Sequence, residues 1–524
     1  MVAALLAPAG ANAAAPGDHA GTAAQSSRRV LFVAPTGDDS ASGSLGHPLA
    51  TIQTAVGRLP SGGVVELRGG TYAQRVMLHN VAGVTIEAYH HEHAILDGSS
   101  LTPPADTSAM IEINNSRRIT IAGLDIFGYA TKTLNIVPIG IYLHGGSSHV
   151  TVRNNHVHDM GNYNGTLGSF DLNAHGIAAY GDDPHHPISG LTIARNEVDH
   201  LALGASESVV VNGNVDGWRI VNNRIHDNNN IGIDAIGFEP TLHGKYRYTM
   251  ANRARNGLIG GNDIWNIISA GNPAYWEGDG WCNCADGIYI DGGTHITVGR
   301  NVVGTSDIGI EVAAENPRGN ASHVVVRSNF IHDSKFTGLT TGGYCNGASD
   351  CGGVKTGSSF DNTFVNNTLY HNNTLNDGSP EMLIQYYAYH DRWENNIVYA
   401  ANDDHVLLGT VPDAQSDGLS TRNVIDHNIY YTSTGDPSTG MWGSLGQNYT
   451  GWDAYRQATG LDQHSQFINP DLQDLAVRNL HLSADSPAVN AGAWLPPSVV
   501  GSRDVDGQPR VQGGRIDIGA DERS

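Results

Sequence analysis

Basic residues are scarce in this chain of 524 residues: 29 Lys and Arg stand against 52 Asp and Glu, a formal charge of −23. A surface of that sign repels phosphate backbones and acidic headgroups, which excludes nucleic acid and anionic membranes as default partners. Cysteine is scarce too. The four residues, Cys282, Cys284, Cys345 and Cys351, fall within a stretch of 70 residues. No later run is apolar and long enough to span a bilayer. Also missing are the G-x-S-x-G elbow, the P-loop, H-E-x-x-H and the dinucleotide fingerprint, so serine-esterase and nucleotide chemistry have no motif behind them. Glycine is plentiful, at 65 residues, but without a Gly-X-Y period, which excludes collagen.

The N-terminus, MVAALLAPAGANAAAPGDHAG, reads as the back half of a signal peptide, with an apolar run and an A-x-A site at Ala11–Ala13 but no charged n-region. It predicts a secreted, extracellular protein in which residues 1–27 lie outside the fold. Export favours disulfides over zinc for C-x-C plus C-x5-C. Loops leaving one face of a solenoid would pair Cys282 or Cys284 with Cys345 or Cys351.

One grammar recurs along the chain: a short alternating strand, Asn, a second strand, then a small turn. Copies include HVTVRNNHVHD (149–159), WRIVNNRIHDN (218–228), HITVGRNVVG (295–304), HVVVRSNFIHD (323–333) and TRNVIDHNIYYT (421–432). Strands of three to five residues with period two are unstable alone. Stacked as coils, they bury one core and satisfy each ladder from the next rung. The corner Asn tolerates left-handed backbone and would bond to the Asn above it. The predicted fold is all-β, a right-handed parallel β-helix over 28–482, with a short capping helix at TIQTAVGRL and a C-terminal capping segment over 483–524.

Both ends carry a wider pattern. V-x-P-x-G-x-D…G-x-x-x-x-P-x-x-T-I-Q-x-A is legible at 33–55, and S-P-A-x-x-x-G…D-x-D-G-x-x-R…D-x-G-A-x-E at 486–522. In these segments the sequence resembles the large pectate-lyase-like family of extracellular right-handed parallel β-helix proteins. Members of such families are polysaccharide lyases, glycoside hydrolases, epimerases and binding proteins, so the resemblance implies the fold and leaves the reaction open.

The reaction must be read from side chains, most of them in the loops and strands of 228–350. Aligning the Gly-Ile dipeptides of GIAAYGD, GIDAIGFE, GIYIDGG, GIEVAAE and GLTTGG, then MLIQYY, places Ala178, Asp234, Tyr289, Glu311, Thr340 and Gln385 in one outward column. Ile177, Ile233, Ile288, Ile310, Leu339 and Ile384 form the inward one. Asp234 and Glu311 then lie two rungs apart, roughly 10 Å, which suits an inverting carboxylate pair better than a retaining one. Asp291, on the rung between, can pair with either. Crowded acids keep one another protonated. The catalytic candidates are Asp234, Asp291 and Glu311, with Glu311 as acid and Asp291 or Asp234 as base.

Around them, Tyr275, Trp276, Trp281, Tyr289 and Tyr386 offer faces for sugar rings, and His175, Glu315 and Gln385 offer polar contacts. Lys245 and Arg247 also lie within expected reach. His226 and His332, in the repeated I-H-D, read as structural. The leading expectation is a monomeric glycoside hydrolase on a polysaccharide or oligosaccharide, needing no cofactor. The alternatives are a calcium-dependent lyase or epimerase on a uronate glycan, with Asp286, Asp291 and Glu311 around the ion and Lys245 or Arg247 as base, and a carbohydrate-binding β-helix without chemistry.

Overall fold

The computed structural model describes residues 28–90, 92–346, 355–411 and 422–523; the signal-like segment 1–27 lies outside them. The short strands wind into the expected right-handed parallel β-helix. Each turn lays one strand on each of three long parallel sheets, and neighbouring strands within a sheet are one turn apart. The first full turn runs through Gly63–Leu67, Gly70–Tyr72 and Val76–His79, and Val84–Ala88 then returns to the first sheet. Inward side chains stack as a continuous aliphatic core in which Ile177, Val209, Ile233, Ile288, Ile310 and Leu339 follow one another up the coil, all buried. Each such side chain contributes about 1.5–3 kcal/mol by leaving water.

The corner Asn forms an unbroken ladder. The Nδ2 of Asn155, Asn196, Asn223, Asn262, Asn301, Asn329, Asn367 and Asn396 each donates to the Oδ1 of the next Asn, ending on Asn428, over 2.9–3.1 Å. The two tasks expected of one Asn are divided between neighbours. The preceding residue takes the left-handed turn, as at Asn154 (φ 54°), Asn222 (φ 55°) and Asn366 (φ 54°). The ladder Asn stays buried and bonds along the axis. The I-H-D residues behave alike: His226 and His332 hold Nδ1 against Asp227 (2.7 Å) and Asp333 (2.9 Å).

The helix Ile52–Gly57 covers the open first turn. Thr51 caps it by accepting from the Thr54 N–H, and Ile52, Ala55 and Val56 are buried beneath it. At the far end a second helix, Trp452–Thr459, places Trp452 and Tyr455 against Trp442. The segment after 483 lies along the flank, where Ala488 and Ile518 pack with Ile397 and Ile429. No helix among the described residues is long and apolar enough to cross a membrane.

Candidate active site

The groove lies on the sheet that carries the Gly-Ile dipeptides. Its strands are β1 (His175–Gly181), β2 (Val209–Gly213), β3 (Ile233–Ile236), β4 (Asp286–Asp291), β5 (Ile308–Ala314), β6 (Thr337–Gly343) and β7 (Met382–Ile384). The glycines have a steric cause. A Cβ on Gly176 would stand 2.7 Å from Val198 Cγ1, one on Gly309 2.5 Å from Ile331 Cγ2, and one on Gly287 would collide with Val303. Gly and Ile therefore both face the core, and strict alternation fails at this corner. The residue before each Gly is turned outward, which brings His175, Asp286 and Ile308 to the groove beside the Tyr289 and Glu311 column.

The register corrects the expected alignment at two points. β2 is an additional turn between β1 and β3, so Val210 stands between Ala178 and Asp234. On β7 the column continues to Leu383, and Met382 takes the inward place expected of Ile384. Gln385 belongs to the next bend, where register no longer applies, yet its Nε2 still reaches Glu311 Oε1 (3.0 Å) and Thr340 Oγ1 (3.1 Å). The middle of the alignment holds: Asp234 pairs with Tyr289, and Tyr289 with Glu311.

A cavity of about 420 Å³ opens over β4 and β5. Asp286, Tyr289, Glu311, Glu315 and Gln385 line it, Tyr275, Trp281 and Tyr344 wall it, and no Lys or Arg among the described residues does. Asp286 and Glu311 share a hydrogen bond. Two carboxyls in such contact hold a proton between them. Burial, followed by the charge of Glu315, pushes Glu311 up to about 8; burial, followed by Glu311, holds Asp286 well above the carboxylate range. Glu315 stands at the solvent-exposed mouth. Desolvation between the walls and the charge of Glu239 raise it to about 7, and the Tyr289 hydroxyl donates to it over 3.4 Å.

Asp234 and Asp291 lie outside that lining. Both are buried and held protonated, Asp234 by burial and then Glu207, Asp291 by burial and then Glu315. Asp291 Oδ1 accepts the Glu315 backbone N–H at 2.9 Å, which fixes Glu315 in place. His175 sits farther up the groove, in a second cavity of about 160 Å³ with Tyr142 and Tyr180, and its Nδ1 is 3.3 Å from Glu207 Oε2.

Besides His175, four expected contacts do not reach the main cavity. Lys245 lies over the Tyr246 ring, and Arg247 donates to Phe238 O and lies over Tyr248, because the loop that carries them folds back on its own aromatics. Trp276 packs edge-on against Trp281 at 4.9 Å. Tyr386 meets Gly343 through its backbone. The Cys282 and Cys284 sulfurs lie against each other at the cleft wall. Cys351 and the Cys345 side chain lie outside the described residues.

Comparison with known proteins agrees with this architecture. No family model matches the chain. The uncharacterized protein YwoF of Bacillus subtilis (strain 168) is 32% identical over 462 residues, which span 87% of this chain and 92% of YwoF. The chain belongs to the YwoF family. Pectate lyase PEL9 of Emericella nidulans is 30% identical over 137 residues, 24% of this chain and 33% of that one. Among solved structures, the A-module of mannuronan C-5 epimerase AlgE4 from Azotobacter vinelandii superposes with a TM-score of 0.50 at 13% identity, covering 80% of this chain and 95% of the module. That likeness is one of fold. Within this YwoF-family chain, Asp286 was expected beside Glu311 as a calcium ligand and not as its proton partner. Its signal was the Gly that follows it, which breaks the strand alternation.

Proposed function

We propose that this protein is an extracellular enzyme that hydrolyses a glycosidic bond of a polysaccharide or oligosaccharide lying across the rungs of the groove. The observation that carries this reading is the buried, proton-sharing pair Asp286–Glu311 on the floor of an aromatic-walled cavity. A carboxyl pushed up to about 8 still holds its proton at neutral pH, as a general acid must. Asp286 and Glu311 touch, so they cannot flank a scissile bond as acid and base, which stand ~5 Å or more apart; they act as one acid. The base we assign is Glu315, just past the end of β5 and four residues beyond Glu311, thus up to roughly 13 Å away at the backbone. Its exposed position gives it water.

In this scheme Glu311 gives its proton to the leaving glycosidic oxygen as the bond to the anomeric carbon breaks. Water attacks that carbon and passes a proton to Glu315. Glu315 then releases its proton to solvent, and solvent returns one to the Asp286–Glu311 pair. Leaning together across that span, the two side chains would leave room for water between acid and base, as inversion requires. Tyr275, Trp281 and Tyr344 offer ring faces to sugar C–H surfaces, and Gln385 orients Glu311. Pectate and mannuronan, in the names of the two comparison proteins, support the carbohydrate class.

The lyase alternative has one observation in its favour. Asp234 Oδ1 and Asp286 Oδ1 are buried without a hydrogen-bond partner, and oxygen-only donors suit a hard cation. Asp286, Asp291 and Glu311 would hold calcium, which would neutralise a substrate carboxylate. Two features weigh against it. Among the described residues no three cleft carboxylates bring oxygens within 4.8 Å of one another, and neither Lys245 nor Arg247 reaches the cavity as a base.

The test is a panel of neutral and uronate polysaccharides, with wild-type protein, Glu311→Gln and Glu315→Gln, each with and without EDTA. New reducing ends that persist in EDTA and vanish in both variants support the hydrolase. An unsaturated, ultraviolet-absorbing product that EDTA abolishes contradicts it.

A further inference from the structure

A third cavity, of about 240 Å³, lies on a different sheet from the active-site groove. Arg219, Arg300, Arg327 and Arg503 all line it, and among the described residues no Asp or Glu does. In a chain with only 29 basic residues against 52 acidic ones, four guanidiniums on one hollow are a concentration of charge that needs a cause. None forms an ion pair with a described residue. Arg327 is tied to the Val499 carbonyl (2.8 Å) and Arg503 to Gly507 O (3.1 Å). Arg219 and Arg300 make no side-chain hydrogen bond to a described residue. Like charges so arranged repel unless an anion lies among them.

The register builds the site from the coil. Val221, Gly260, Gly299 and Arg327 form one outward column, and Arg219, Leu258 and Thr297 the next. Two successive glycines leave a shallow floor where side chains would stand. The guanidiniums rise around it from rungs about 4.8 Å apart, and the segment 501–507 closes the side with Arg503. Asn222, Thr297 and Ser502 add neutral hydrogen-bonding groups, and Val221 and Leu258 an apolar strip. Guanidiniums for carboxylates, hydroxyls and an amide for sugar hydroxyls, and a strip for C–H faces together describe a sugar acid. No aromatic ring lines the hollow, so the stacking platform that single-stranded nucleic acid uses is missing.

We propose that this arginine-lined hollow is a second glycan site that binds uronate residues of an acidic polysaccharide away from the active-site groove. Its place in the protein's action rests on the polysaccharide reading above: it would tether the polymer and raise its local concentration at the groove. Binding itself does not depend on catalysis, so the two readings fail separately.

The experiment is affinity electrophoresis and calorimetry with polygalacturonate, a neutral galactan and inorganic sulfate as probes, on wild-type protein, Arg219→Ala/Arg300→Ala and Glu311→Gln. The two arginines are chosen because no hydrogen bond of the fold depends on them; circular dichroism checks that the variant is folded. The expected result is polygalacturonate binding that weakens as salt rises, falls about tenfold or more in the double variant and survives Glu311→Gln, with no binding of the galactan. Equal binding by wild type and the double variant overturns the proposal. So does equal retention by the neutral galactan, or binding of sulfate with none of polygalacturonate.

Discussion

Glu311→Gln should damage activity and improve stability, and the second effect has a pH window. The wild-type carboxyl moves from its ordinary 4.5 to about 8 on folding. The native state therefore holds a proton that the unfolded chain releases. Stability from this group is fully present below about pH 4.5, falls as pH rises, and is lost above about 8. At ~1.36 kcal/mol per pH unit the whole window is on the order of 5 kcal/mol. The amide removes that loss, keeps a partner for Gln385 and can donate to Asp286. Denaturant unfolding should find the variant equal to wild type near pH 5 and more stable by several kcal/mol near pH 9. A variant no more stable than wild type near pH 9, or stabilised equally at both values, would refute the proton-sharing account of the cleft.

Further consequences follow from the same geometry. Lys245→Ala and Arg247→Ala should leave cleavage within a few-fold of wild type, measured as initial rates on the substrate found; loss of all activity in either would restore the lyase base. The alkaline limb of catalysis should titrate near the value held by Glu311, so activity should fall as pH rises through about 8, and Asp286→Ala, which removes a hydrogen bond that lowers Glu311, should shift that limb upward in a pH–rate profile. Asn262→Ala breaks two links of the ladder, to Asn223 and Asn301. Stranded buried amides cost about 2 kcal/mol or more, visible as a lower denaturation midpoint. Gly287→Ala forces a methyl against Val303 and toward Gly309 O at 2.8 Å and should cost about 1–3 kcal/mol.

The fold was legible because it repeats. Short strands, a corner Asn and an inward Ile recur at each turn, and each recurrence repeats the same local argument. The capping helix was legible from TIQTAVGRL for the same reason that any amphipathic helix is. The site was legible only in part. Asp234, Tyr289 and Glu311 fell into one column because strand pairing is local and regular there. The turn at Val209–Gly213 escaped because Ser208 stands where its neighbours have Gly176 and Gly232, and Gln385, expected at the site and found there, was put in the column in place of Leu383 because the chain bends out of register after Ile384. Asp286 was expected beside Glu311 only as a calcium ligand; its role as proton partner escaped because alternation predicts that it faces inward, whereas the Gly287 corner turns it out. Lys245 and Arg247 were near in sequence, but where a loop folds depends on packing against Tyr246 and Tyr248, which strand patterning does not encode.

The central claim is hydrolysis by the Asp286–Glu311 acid with water activated at Glu315, and the most direct test is the origin of the oxygen in the product. Cleavage of the substrate in heavy-oxygen water, read by mass spectrometry of the fragments, should place one heavy oxygen on each new reducing end. Fragments that carry no heavy oxygen and end in an unsaturated sugar would show elimination instead and contradict the account.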